Sequence, residues 1–324
     1  MSGASNMRFI PLSIPTPFYV GDVNVYLIRE DPITLIDVGP KTAEAEDALR
    51  RGLAKHGVSL ADIGRIVLTH SHEDHCGLAK KVRDEAKNAD VLVHDWETGH
   101  LFGRLARDEH RGLLLRSGVP AEVFDEMQSL YEDISLLTDS LSDSDIKPLR
   151  DEMELEFESG SLRVMHTPGH TPGSCCFIRE ADRTVIAGDC VLKRITPNPV
   201  ISPDPIDRKR RFPSLAEYLV SLARIRSLAP TLSYCGHGEP VTDFEEIFNR
   251  YVRSIDERQK HVIKLAGSGS TAFDVAKRLF PDSFGHDVHR FLAISEAIAH
   301  LDYAESEGRL GLEVNNGVEY YRNS

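Results

Sequence analysis

Apolar positions along this chain come as short runs at its start, at helical spacing in its middle, and as short runs again before a largely helical end. Residues 23–28 and 33–36 form two such runs on either side of Glu30-Asp31-Pro32, which predicts adjacent strands and a turn. Residues 42–56 predict a helix: Thr42 can cap it, Glu44 and Glu46 suit its positive end, and Gly57 can stop it. A buried strand at 66–68, a helix at 78–87 and a strand at 91–93 follow. Strands alternating with helices indicate an α/β layered core.

From 97 to 150 the period lengthens. Leu101, Leu105, Val123, Met127, Leu130 and Ile134 recur at helical spacing, and 140–145 is an acidic, serine-rich loop. This region reads as a helical insertion, a candidate lid or dimer surface. Short apolar runs return at 155–157, 162–165, 175–178 and 184–187. Ser214 and Glu217 have capping-box spacing ahead of a helix with Leu215, Leu219, Leu222 and Ile225 on one face. A strand at 231–234 precedes a long helix after Asp243, with Phe244, Ile247, Phe248, Tyr251, Val252 and Ile255 inward. Helices at 271–280 and 291–307 lead to a hairpin around Asn315-Asn316-Gly317.

The strand at 66–68 runs straight into Thr69-His70-Ser71-His72-Glu73-Asp74-His75. Imidazole and carboxylate together suit zinc, iron or manganese. In an extended segment alternate residues share a face, so His70 and His72 can point the same way. Asp74 and His75 fall where a helix can begin and turn toward a second ion. His170, Asp189 and His237 each sit on a glycine-containing turn after a predicted strand, where a side chain can emerge at a sheet edge. Asp37, before Val38-Gly39, reads by itself as a turn former.

Asp37, the block from His70 to His75, His170, Asp189 and His237 form an ordered set that resembles the metallo-β-lactamase superfamily, in particular its glyoxalase II-like branch and the lactamase-beta-like subgroup. The resemblance implies a four-layer αβ/βα sandwich carrying the helical insertion, with residues 1–250 as the catalytic domain and 251–324 as a small winged-helix-like domain. It implies that His70, His72 and His170 hold one metal, that Asp74, His75 and His237 hold another, and that Asp189 bridges the two. It makes Asp37 a buried carboxylate that orients ligands rather than binding metal. The implied cofactor is a pair of divalent cations, zinc by expectation, with iron or manganese as alternatives.

The implied reaction is hydrolysis, a metal-bound hydroxide attacking an ester, thioester or lactone of a small anionic substrate. Asp74 is then both a ligand and the catalytic proton acceptor, and Lys193 and Arg194, close after Asp189, are the expected substrate-binding cations. Arg208-Lys209-Arg210-Arg211 reads equally well as a basic rim or as a solvated charge run. The alternative reaction is that of a metal-dependent phosphodiesterase or single-strand endoribonuclease. A net charge of −13 argues against nucleic acid as a partner. Acidic residues such as Glu296, Asp302, Glu305 and Glu307 stand where a DNA-reading helix should be basic.

An apolar share of 41% supports a sizeable core, and no stretch stays apolar for the about 20 residues of a membrane span. The first six residues do not read as an export signal, and five loosely spaced cysteines fit a reducing cytoplasm better than a disulfide framework. Cys76, Cys190 and Cys235, beside candidate ligands, are expected to be small buried packing residues.

Overall fold

The computed structural model describes residues 7–101, 107–285 and 287–323; residues 1–6, which carried the expectation of no export signal, and Leu105 lie outside them. Strands β1 (Ile10–Ile14), β2 (Val23–Ile28), β3 (Thr34–Ile36), β4 (Arg65–Val67), β5 (Asp90–His94) and β6 (Ile146–Leu149) form one sheet in that order. Its first three strands are antiparallel, and β3 to β6 run parallel. Strands β7 (Glu154–Phe157), β8 (Gly160–His166), β9 (Cys175–Arg179), β10 (Thr184–Gly188) and β11 (Leu232–Cys235) form the second, ordered β11-β10-β9-β8-β7, with only β10 and β11 parallel.

Both faces of these sheets are covered, which is why the strands read as apolar runs rather than as alternations. Along β2, Tyr26 and Ile28 point between the sheets while Val25 and Leu27 point outward. Along β9, Cys175 and Phe177 point between them and Cys176 and Ile178 outward. Helices α1 (Ala43–Ala54), α2 (Glu73–Cys76) and α3 (Ala79–Glu85) follow the strands of the first sheet. Leu49 and Leu53 of α1 and Val82 of α3 pack on its outer face. Thr42 caps α1 by accepting from Ala45 N.

Helices α4 (Thr98–Leu101), α5 (Arg107–Arg116) and α6 (Ala121–Ser135) make the insertion. The expected insertion runs too far, because its last residues are β6. Lys147 and Pro148 interrupt the apolar run there, leaving Ile146 and Leu149 to pack. Strand β1 was also not foreseen, although Ile10, Leu12 and Ile14 alternate with Pro11 and Ser13. Helices α7 (Ser214–Ser227) and α8 (Phe244–Ala266) cover the second sheet through Leu215, Tyr218, Leu222, Phe244, Ile247 and Tyr251. The layers are therefore αβ/βα, as expected. The capping box at Ser214 does not form: Ser214 is the first helical residue, and its buried hydroxyl donates to Val200 O and Phe212 O instead. Val252, expected inward, is 40% exposed, since the buried stripe of α8 steps through 247, 251 and 255.

Helix α8 runs unbroken through position 250 into α9 (Ala272–Leu279), α10 (Asp287–Ser306) and a three-stranded sheet. That sheet has the order β12 (Ser268–Ser270), β14 (Val318–Asn323), β13 (Leu310–Asn315). Asn316 and Gly317 turn the hairpin, both at positive φ. The insertion shares one core with this unit: Leu113, Leu114, Phe124 and Met127 pack with Val262, Val275, Ile294 and Leu301. Of the expected apolar stripe, Met127 is buried in this core and Val123 packs against it. Among the described residues no helix is long and apolar enough to cross a membrane.

The basic segment 208–211 divides. Arg208 pairs with Glu109, but Arg211 is buried and no part of a rim. Its guanidinium donates to both carboxylate oxygens of Asp302 at 2.7 Å, to Glu319 at 2.5 Å and to Tyr321 Oη at 2.9 Å. Asp302 therefore faces a partner inside the chain, and Glu296 pairs with Arg258. Replacing Arg211 with Met leaves the partly buried Asp302 without a counter-charge and the buried Glu319 with only Arg116, at 3.9 Å. Urea denaturation of Arg211→Met is expected to show a loss of about 3–5 kcal/mol; a change below about 0.5 kcal/mol, as for an ordinary surface site, contradicts this role.

Candidate metal centre

Parallel strands end on one edge, and the site is built there. Asp37 follows β3, Thr69 and His70 follow β4, Asp189 follows β10 and His237 follows β11. The two sheets are joined at that edge, where Asn24 N donates to Gly236 O at 2.7 Å. His72 is extended, at the N-cap of α2, so Asp74 and His75 lie within the short helix after it. His170 lies in the turn between β8 and β9.

These side chains meet. His70 Nε2 and His170 Nε2 each lie 3.0 Å from His72 Nδ1. His237 Nε2 is 3.2 Å from Asp74 Oδ2 and 3.5 Å from Asp189 Oδ2. His75 Nε2 is 3.4 Å from Asp189 Oδ1, and His170 Nε2 is 3.8 Å from Asp189 Oδ2. Within each of three triads (His70, His72, His170; His70, His75, Asp189; Asp74, His75, His237) the donor atoms lie within 4.8 Å of one another.

The outward nitrogens fix how the rings present themselves. His170 Nδ1 donates to Asn198 O and His237 Nδ1 to Asp22 O, each at 2.9 Å. Both acceptors are carbonyls, so in the neutral rings Nε2 carries the lone pair. His75 Nδ1 donates to Asp37 Oδ2 at 2.8 Å. Thr69 N donates to Asp37 Oδ1 at 2.8 Å, and Thr69 Oγ1 donates to the same carboxylate, which leaves Oγ1 to accept from His70 Nδ1 at 3.0 Å. Asp37, itself at a φ of 59°, thereby orients His75 directly and His70 through Thr69.

Facing lone pairs repel unless something positive lies among them. His75 Nε2, Asp189 Oδ1 and His237 Nε2 are buried with no hydrogen-bond partner. Buried polar atoms are rarely left so, and a divalent cation is what this donor set fits. Burial, reinforced by the neighbouring histidines, holds the pKa of His70 well below its ordinary value. Burial and then His170 bring His72 down to about 3. Burial opposes ionisation of Asp74 and Asp189, but His75 and His237 outweigh it and lower both. Burial likewise opposes the charged form of His75, yet Asp189, Asp37 and Asp74 raise it well above its ordinary value. A cation arriving there displaces a proton.

Backbone space is as restricted as side-chain space. A Cβ on Gly236 would fall 2.2 Å from Asp189 Oδ1 and 2.8 Å from His75 Cε1. Gly188 has a φ of +49°, and a Cβ there would meet Thr69 at 2.8 Å. All five cysteines are buried and unpaired. Burial raises the thiol of Cys76 well above its ordinary value and that of Cys235 to about 12, so both sit as packing residues.

Lys193 and Arg194 meet one another on Glu239, at 2.7 and 3.4 Å. Thr69, Asp22 and Asn198 went unnoticed in the sequence. Thr69 directly precedes the His block, but backbone carbonyl acceptors leave no residue-type signal. Asn198 also donates from its side chain to Leu292 O on α10, which links His170 to the C-terminal helices.

The sequence model described as Metallo-beta-lactamase superfamily matches residues 18–237. The probable metallo-hydrolase YqjP of Bacillus subtilis is 34% identical over 319 residues, covering 97% of each chain. The beta-lactamase-like protein 2 homolog of Caenorhabditis elegans is 26% identical over 83% of this chain and 74% of its own. The crystal structure of the metallo-beta-lactamase family protein TTHA1429 from Thermus thermophilus superposes with a TM-score of 0.84 at 28% identity, covering 98% of both chains.

The close approach at Gly236 generates a prediction. Gly236→Ala pushes Asp189 and His75 apart, so metal analysis of the purified variant is expected to find bound divalent cation reduced by about 10-fold or more. Gly112→Ala, at an exposed position of α5 where a Cβ meets nothing within 4 Å, is expected to keep its cation content. Equal content in the two variants contradicts the geometry described.

Proposed function

Because the chain belongs to the metallo-β-lactamase superfamily and is a hydrolase of that fold, we propose that it uses two divalent cations to hydrolyse an ester, thioester or lactone of a small anionic substrate. The observation that carries this reading is the pair of three-residue clusters, His70/His72/His170 and Asp74/His75/His237, with Asp189 between them. We assign the first cluster to one cation, the second to another, and Asp189 to both. Zinc is the expected ion, with iron or manganese as alternatives. When bound, such a pair supplies a nucleophile from water at neutral pH and a Lewis acid at the oxygen of the scissile group.

The chain's own residues account for the rest. Asp74 is ionised, and Oδ2 faces His237 at 3.2 Å. Its other oxygen is the acceptor for the proton that the attacking water gives up. Asp37 holds His75 and, through Thr69, His70, so the lone pairs stay aimed while substrate enters. Lys193 and Arg194 share a single carboxylate, leaving one net positive charge at the rim. An anionic group of the substrate takes the place of Glu239 on these two cations, which favours a carboxylate-bearing acyl substrate over a neutral one. The five unpaired cysteines support a reducing, cytoplasmic setting.

A second reading, phosphodiester or single-stranded RNA cleavage, is favoured if α9, α10 and the terminal hairpin are read, as we propose, as a winged-helix-like module. Arg211, which packs against that region, and Arg258 of α8 are engaged on carboxylates of the same chain, and the net charge is −13, which weakens it.

Metal-replete protein offered thioesters, esters, lactones, phosphodiesters and a fluorogenic RNA is expected to turn over the acyl substrates fastest. Asp74→Ala and Asp189→Ala are expected to lose bound cation and turnover together, by more than the about 10- to 100-fold typical of outer-shell changes. Full metal content and full turnover in either variant overturns the assignment. RNA cleavage that tracks the metal and rivals acyl turnover favours the second reading.

A further inference from the structure

Glu97 belongs to no ligand cluster, yet it is 4% exposed and its carboxylate lies between the two loops that carry the three-histidine cluster. It ends the turn Asp95–Glu97 after β5, an element separate from both loops. Its Oε2 accepts from Ser71 N at 3.0 Å and from Ser71 Oγ. Its Oε1 accepts from Thr171 Oγ1 at 2.7 Å and from Gly173 N at 2.6 Å. Ser71 stands between His70 and His72 in the chain, and Thr171 directly follows His170. The approach is too close for any side chain at position 173: a Cβ on Gly173 would lie 2.7 Å from Glu97 Cγ.

We infer that Glu97 is a positioning residue, holding His70 and His72 in register with His170 so that the three donor atoms form one half of the paired site; the inference rests on the two-cation reading above. Only a carboxylate suits the place. Two of the four donors are backbone N–H groups, one on each loop, and each needs an oxygen. A glutamine keeps the shape but has one oxygen, so its NH2 faces an N–H of one loop and that loop is released. The other half of the site has anchors of its own. His75 is held by Asp37 and His237 by Asp22 O. Loss of Glu97 should therefore act on one cation and spare the other.

The test is a calorimetric titration of zinc into metal-stripped wild type, Glu97→Gln, His237→Ala and the double variant, with circular dichroism and zinc-free unfolding midpoints recorded for each. Wild type is expected to bind two zinc ions. E97Q is expected to keep one and weaken the other by about 10- to 100-fold. H237A retains the three-histidine half, and adding E97Q is expected to weaken that remaining ion by a similar factor. Thr171→Val, which removes one donor and leaves the carboxylate in place, carries the same test if E97Q does not fold; it is expected to give a smaller loss at the same ion. Undiminished binding, or an equal drop at both ions, overturns the inference. Failure of wild type to bind zinc overturns instead the reading on which it rests.

Discussion

A buried carboxylate, Asp189, is the constraint around which the rest of this structure is arranged. It sits after β10, with His75, His170 and His237 each within 4 Å of its oxygens, and one of those oxygens has no hydrogen-bond partner. A charge taken out of water at that depth must be met by opposite charge. The surrounding imidazoles meet it partly; in the function proposed above, a divalent cation on either side would meet it fully. The two parallel strand ends that deliver Asp189 and His237 can come this close because Gly188 and Gly236 present no Cβ to Thr69 and Asp189. Packing, backbone conformation and ligand geometry are thus one problem with one solution.

Around that centre the contacts form successive rings. Asp37, Thr69, Asp22 O and Asn198 O aim individual imidazoles. Asn198 in turn is tied to α10, and Arg211, later in the same loop, is buried on Asp302, Glu319 and Tyr321. The segment from Asp189 to α7 is therefore fastened at both ends, to the site and to the C-terminal unit. That unit shares its core with the inserted helices α5 and α6. The inserted helices also pack on Ile201, in the loop whose Asn198 O holds His170.

Much of this was legible beforehand because the ligands come in local patterns. His70, His72, Asp74 and His75 lie close together in the chain, and His170, Asp189 and His237 each mark a strand end, so residue type and position marked them as candidates and the family resemblance grouped them. What stayed hidden depends on partners distant in sequence. Arg211 lies in a run of four basic residues and differs from Arg208 only through Asp302, 91 positions on. Glu97 opens a stretch that reads as helix, and only folding brings Ser71 and Gly173 to its two oxygens. Strand β6 was missed because Lys147-Pro148 breaks its apolar run, and Ser214 misled because its hydroxyl had a buried loop carbonyl available in place of a helix N–H.

Anomalous diffraction from crystals grown with zinc measures the central claim most directly. The account predicts two anomalous peaks, one among His70, His72 and His170 and one among Asp74, His75 and His237, with the Asp189 carboxylate touching both. A zinc-loaded crystal with no peak in this pocket, or with zinc held by other residues, contradicts it.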